Sequence, residues 1–141
     1  MEYRRFGDTI VCRLQRGEEI HEQLEKVATA ESITLAEVRG IGAIDDFTVG
    51  CYDVNEQKYY KNHFTFPAEI TMLYGNITTM DGKYYAHIHL TAADKVGHAF
   101  GGHLNEARIF ATGELFIRVL DGTVEREKDE RIGLNVFRFL D

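Results

Sequence analysis

The sequence predicts an α+β fold, a largely antiparallel β-sheet with one main helix near the N-terminus. Apolar residues recur at helical spacing in one early stretch, Ile20, Leu24, Val27 and Ala28. Some seven to nine β-prone runs fill the remaining chain, mostly joined by short turns, which is the pattern of an antiparallel sheet. At 141 residues, with no internal repeat and a single proline, the chain fits one domain spanning 1–141.

Residues 2–15 read as a β-hairpin or a bent strand pair: Tyr3 and Phe6 precede Gly7-Asp8, and Ile10, Cys12 and Leu14 then alternate with Val11, Arg13 and Gln15. Gly17 ends that run. The helix follows, with Glu18 and Glu19 in its first turn and Ser32 at its close. His21 on this helix reads as a surface or boundary residue. Ile33 to Ile44 is β-like and is interrupted at Arg39-Gly-Ile-Gly42, which lacks the third glycine and following helix of a nucleotide loop. It reads as a bend in a long strand.

Phe47–Asp53 is the next strand, Val54–Lys58 a polar turn, and Tyr59, Tyr60, Phe64 and Phe66 lie in another β-prone run. Pro67 leads into the strand Glu69–Ile77, and Asp81-Gly82 supplies a hairpin turn before the strand Tyr84–Leu90. Ala92–Gly102, rich in small residues, reads as a looser segment with room for a short helical turn. A strand from Ile109 to Leu120, a charged tail from Glu125 to Arg131 and a last strand from Leu134 to Leu140 complete the chain.

Charge and composition narrow the function. A net charge of -7 repels phosphate backbones and argues against direct DNA binding. Cys12 and Cys51 sit in apolar, strand-like contexts without metal-ligand spacing, and read as buried, reduced thiols of a cytoplasmic protein. The N-terminus has no apolar signal core, and no apolar run approaches a membrane span.

The chemistry concentrates at His87-Ile-His89 and Gly101-Gly-His103. Positions i and i+2 of a strand share one face, so His87 and His89 point the same way. A chain returning at the glycine pair brings His103 beside them. Three imidazoles describe a metal site with one position left open for water or a small-molecule ligand. Zinc is the expected metal, and other divalent transition metals suit the same donors. His98 competes for the third place but lacks the flanking glycines. Asp94 and Glu114 are the carboxylates near enough in sequence to orient the histidines or serve as a base. The spacing from His87 through Asp94 to Gly101 also approaches the first cupin motif, without the proline turn of the second.

These residues resemble a known family, the plants-and-prokaryotes-conserved (PPC) domain in its stand-alone prokaryotic form. The marks are Leu14-Gln-Arg-Gly-Glu18, Arg39-Gly-Ile-Gly-Ala43, Tyr52-Asp53, Glu69-Ile70, Gly75-Asn-Ile77, the His87-x-His89 strand, Gly101-Gly-His-Leu104 and Glu114-Leu-Phe-Ile117. The resemblance implies an α+β fold assembled as a homotrimer, with a zinc site at His87, His89 and His103 near a subunit boundary. Plant members join this domain to AT-hooks that bind DNA, and there it serves in protein–protein association. This chain carries no Arg-Gly-Arg-Pro core. Two functions follow as expectations: a trimeric metal-binding protein, possessing a small-molecule site at a subunit interface, and a non-enzymatic interaction module labelled DNA-binding by analogy with plant proteins.

Overall fold

The computed structural model describes residues 1–140. Nine strands and one helix follow in the order β1 (Glu2–Phe6), β2 (Thr9–Gln15), α1 (Ile20–Ala30), β3 (Ala36–Asp53), β4 (Lys58–Phe64), β5 (Ala68–Met80), β6 (Lys83–Ala93), β7 (Ala99–Val119), β8 (Glu125–Asp129) and β9 (Leu134–Arg138). The fold is therefore mostly antiparallel β with a single helix, more strand-rich than a balanced α+β arrangement. No helix is long and apolar enough to cross a membrane.

Local chemistry sets the turns. Asp81 and Gly82 both take positive φ, 53° and 71°, as the tight hairpin between β5 and β6 requires. The Glu19 side chain caps α1 by accepting from Glu22 N at 2.8 Å, and its other oxygen accepts from Ala107 N at 3.0 Å. One carboxylate thus starts the helix and ties it to β7. Ser32 enters the left-handed region (φ 54°), and Ile33 N donates to Ala28 O at 2.8 Å, closing the helix where its sequence suggested.

The strand pairing closes on itself. β3 pairs with β5 and β7, β5 with β6, and β6 returns to the first half of β7. The core fills the inside of this ring with Val38, Ile44, Phe47, Leu73, Ile77, Ile88, Leu90, Leu104 and Ile109. The apolar face of α1 (Ile20, Leu24, Val27, Ala28) is buried, and the helix packs on β6 and β7. Each of Ile20, Leu24 and Val27 contributes about 1.5–3 kcal/mol by leaving water.

Four local expectations change. The two runs from Ile33 to Asp53 form one strand, β3, bent by a register shift between Gly40 and Gly42 and by others further on. The segment Ala92–Gly102 contains no helical turn: β6 runs to Ala93, a tight turn follows, and β7 starts at Ala99. The charged tail is also β: β8 and β9 form an antiparallel hairpin, and β8 meets β5 at Thr79. Finally, Cys12 is buried but Cys51 is exposed. Cys51 shares its strand face with Phe47 and Val49, but lies where the β3–β4 hairpin runs past the end of the core.

Candidate metal centre

Alternation along β6 puts Ile88, Leu90 and Ala92 into the core and leaves His87 and His89 on the outer face. Antiparallel pairing then aligns His89 with His103 of β7, and Asn76 of β5 with His87. Small residues permit this crowding. A Cβ on Gly102 would stand 2.5 Å from the Gly50 carbonyl oxygen, so only glycine lets β7 approach β3 beside His103. A Cβ on Gly75 would likewise collide with the backbone of His87.

The three imidazoles converge. Ring centroids lie 5.0 Å apart for His87 and His89, 5.1 Å for His87 and His103, and 5.7 Å for His89 and His103. One ring nitrogen from each falls within 4.8 Å of the others. The Nε2 atoms of His87 and His89 are 3.2 Å apart. Two nitrogens that each sit about 2.0–2.1 Å from a tetrahedral zinc are separated by about 3.3 Å, so this edge already has the right length. The donor set fits a borderline metal of the zinc type.

Electrostatics favours neutral, metal-ready rings. Burial lowers the pKa of His103 to about 4, helped by the neighbouring His87, His89 and His21. Burial also lowers that of His87, with His89 and Arg126 adding to the effect. His87 and His103 are half-buried, and His89 is exposed, so the cluster opens to the surface. Around it, the Tyr59 ring meets His103 edge-on at 6.0 Å and its hydroxyl donates to Asn105 Oδ1 at 2.8 Å. His21 is half-buried at the helix boundary, where its Nε2 donates to the Leu104 carbonyl at 3.1 Å.

The other sequence-predicted residues stand elsewhere. Asp94 lies beyond the end of β6, where its Oδ1 accepts from Val96 N and His98 N at 3.0 and 2.9 Å. It fastens the β6–β7 turn, and cannot attend histidines five or more positions back along an extended strand. His98 sits in that same turn, largely exposed, with Nδ1 3.5 Å from Asp94. Glu114 is exposed on the second half of β7, opposite Arg13 and Ile41. Nearness in sequence does not carry over to either carboxylate: Asp94 belongs to the β6–β7 turn, and Glu114 lies far along the 21-residue β7, where that strand runs between β2 and β3.

One neighbour has no local signal in the sequence. Arg126 of β8 is 6% exposed and lies between the rings of Tyr85 and Phe137, at 4.7 and 4.6 Å from their centroids. It donates to Thr78 Oγ1, Asn135 O and Asn76 Oδ1 at 2.8, 3.0 and 2.8 Å. Within a run of exposed charges, nothing marks it as the one that folds inward.

Comparison with known proteins supports a common ancestry. The sequence profile of the Plants and Prokaryotes Conserved (PCC) domain, the domain abbreviated PPC above, matches residues 1–121. No curated protein matches. Among solved structures, a protein from Bacteroides thetaiotaomicron described as a candidate DNA-binding protein is 27% identical over 98% of this chain and 96% of its own, with a TM-score of 0.95. A protein from Archaeoglobus fulgidus described as metal-containing is 30% identical over 98% and 97%, with a TM-score of 0.87. A plant- and prokaryote-conserved protein from Pyrococcus horikoshii is 25% identical over 99% and 95%, with a TM-score of 0.85. With the profile spanning most of its length and full-length relatives sharing its fold, the chain belongs to the Plants and Prokaryotes Conserved domain family.

Proposed function

We propose that this protein is a homotrimeric metal-binding protein, with His87, His89 and His103 holding zinc or a similar divalent metal and the open side of the site receiving a small molecule. The observation that carries the reading is the convergence of three ring nitrogens within 4.8 Å on an outer sheet face. The metal-containing description of the Archaeoglobus relative agrees with it. A metal there would supply Lewis acidity. The chain's own residues would supply a shallow, half-open cup, with Tyr59 against His103 and Asn76 opposite His87.

Self-assembly is supported by an apolar patch on the same face. Ile41, Met72, Tyr74 and Phe116 are 54%, 58%, 48% and 39% exposed, on adjoining strands β3, β5 and β7. Tyr74 pairs with His89 in register, so a partner seated on this patch would lie beside the histidines. Of the two tyrosine pairs in the sequence, which offer a further surface for a partner, Tyr84 packs against the core and Tyr85 on Arg126, while Tyr59 meets His103 and Tyr60 is exposed. Sedimentation at micromolar concentration should give a trimer, and Ile41→Lys should weaken it; a wild-type monomer would refute the assembly.

The cupin reading gives way to the family match over residues 1–121. The interaction-module reading retains one support, the candidate DNA-binding description of relatives. Against it stands the net charge of -7. Elemental analysis of protein prepared without a histidine tag separates the two: stoichiometric metal, lost in His87→Ala and His89→Ala, supports the site, and background metal in the wild type rejects it.

A further inference from the structure

Beside the three histidines stand a buried cation, Arg126, and one carboxylate, Glu37, which is in register with Asn76 across β3 and β5 and accepts from the Tyr74 hydroxyl at 2.6 Å. Arg126 is the one charged side chain in the buried set of the described residues. Its three acceptors are all neutral: a threonine hydroxyl, an asparagine amide oxygen and a backbone carbonyl. Among the described residues no Asp or Glu forms an ion pair with it, although seven ion pairs of Lys, Arg or the N-terminal amine exist elsewhere. A guanidinium withdrawn from water without a counter-ion is a costly arrangement. Flanking aromatic faces compensate part of that cost. The cation stands one side chain from the site, since Asn76 bonds Arg126 and pairs in register with His87.

The hydrogen bond from Arg126 also decides which way Asn76 points. A guanidinium can only donate, so the amide atom facing Nη2 must be the oxygen. Nδ2, with its two hydrogens, is therefore turned to the other side, and no described residue accepts from it. Asn76 is half-buried on the outer face, in the same register position as His87. It presents an oriented neutral donor, backed by a buried cation, next to three imidazoles. A divalent metal on the histidines would add two further positive charges. Against the one carboxylate, Glu37, the metal and Arg126 leave the set net positive, which complements an anion rather than a cationic molecule.

We infer that the open side of the histidine site binds a small oxyanion, held by Asn76 Nδ2, with Arg126 as the positioning residue that fixes the Asn76 amide and supplies charge. This rests on the metal reading and adds the class of ligand. It also gives a role to the β8–β9 hairpin, which lies beyond the residues matched by the family profile. Carboxylates and phosphoryl groups share the required chemistry.

The test uses the full chain loaded with cobalt(II) in place of zinc, titrated separately with acetate and with methylphosphonate, following the cobalt visible absorption. Asn76→Asp keeps an acceptor for Arg126 but removes the donor and cancels the charge, so it preserves the fold while removing the proposed recognition. Arg126→Met is the second variant, with circular dichroism as its folding control. The wild type should shift its spectrum saturably with at least one probe, and both variants should bind that probe about 10- to 100-fold more weakly while retaining cobalt. Preference for acetate assigns a carboxylate ligand, and preference for methylphosphonate a phosphoryl one. Cobalt bound but unresponsive to both anions, or equal affinity in the wild type and Asn76→Asp, overturns the inference and leaves the metal reading standing. A wild type that takes up no cobalt overturns the metal reading, and this inference with it.

Discussion

Acidifying the metal-free protein should cost stability through His103. Its folded-state pKa is held down to about 4, first by burial and then by the neighbouring His87, His89 and His21, against 6.5 for the free side chain. As pH falls below about 6.5 the unfolded chain takes up a proton at His103 while the folded chain does not. The stability that neutral His103 gives is thus present in full above the unfolded pKa and drains away between about pH 6.5 and 4. At 1.36 kcal/mol per pH unit the loss by pH 5 is about 2 kcal/mol, an upper bound because the ring is only half-buried. His87, also lowered, acts in the same direction. Urea unfolding of metal-free wild type and His103→Gln, at one protein concentration and at pH 7 and 5, isolates the term, since carboxylate contributions cancel in the difference. The wild type should lose about 1–2 kcal/mol more than the variant over this interval. Equal losses would show that His103 is not held neutral by its surroundings.

Two further outcomes follow from the geometry. Gly102→Ala places a Cβ 2.5 Å from the Gly50 carbonyl oxygen, and should cost about 1–3 kcal/mol in chemical denaturation and weaken metal binding by displacing His103. Cys51 should react with a thiol reagent in the native protein while Cys12, buried and with its pKa raised to about 11, reacts only after unfolding; labelling of both thiols at native pH would contradict the packing of β2.

Much of the site was legible in the sequence, because it depends on short-range rules. The i, i+2 spacing of His87 and His89 fixes a common strand face, and Gly101-Gly102 marks the place where β7 crowds its neighbours. The first hairpin, the helix and the Asp81-Gly82 turn were readable for the same reason. What depends on long-range pairing was not. Periodicity does not say that β3 continues through its glycine bend, or that β6 and β7 extend across the small residues between Leu90 and His103. Asp94 and Glu114 were near the histidines in sequence only, one beyond the end of β6 and the other on the far half of β7. Arg126 was the converse: it lies in a charged run more than twenty residues past His103, yet the β8–β9 hairpin folds it against Asn76. In the sequence Glu125–Arg131 reads only as a charged tail. Alternation along β8 sent one of its charges inward.

The central claim is that His87, His89 and His103 together hold a metal ion. An anomalous difference map from zinc-soaked crystals, recorded at the zinc absorption edge, tests it most directly. The account predicts one strong peak about 2.0–2.1 Å from a ring nitrogen of each of the three histidines. Absence of a peak there, or a peak at other residues alone, would contradict it.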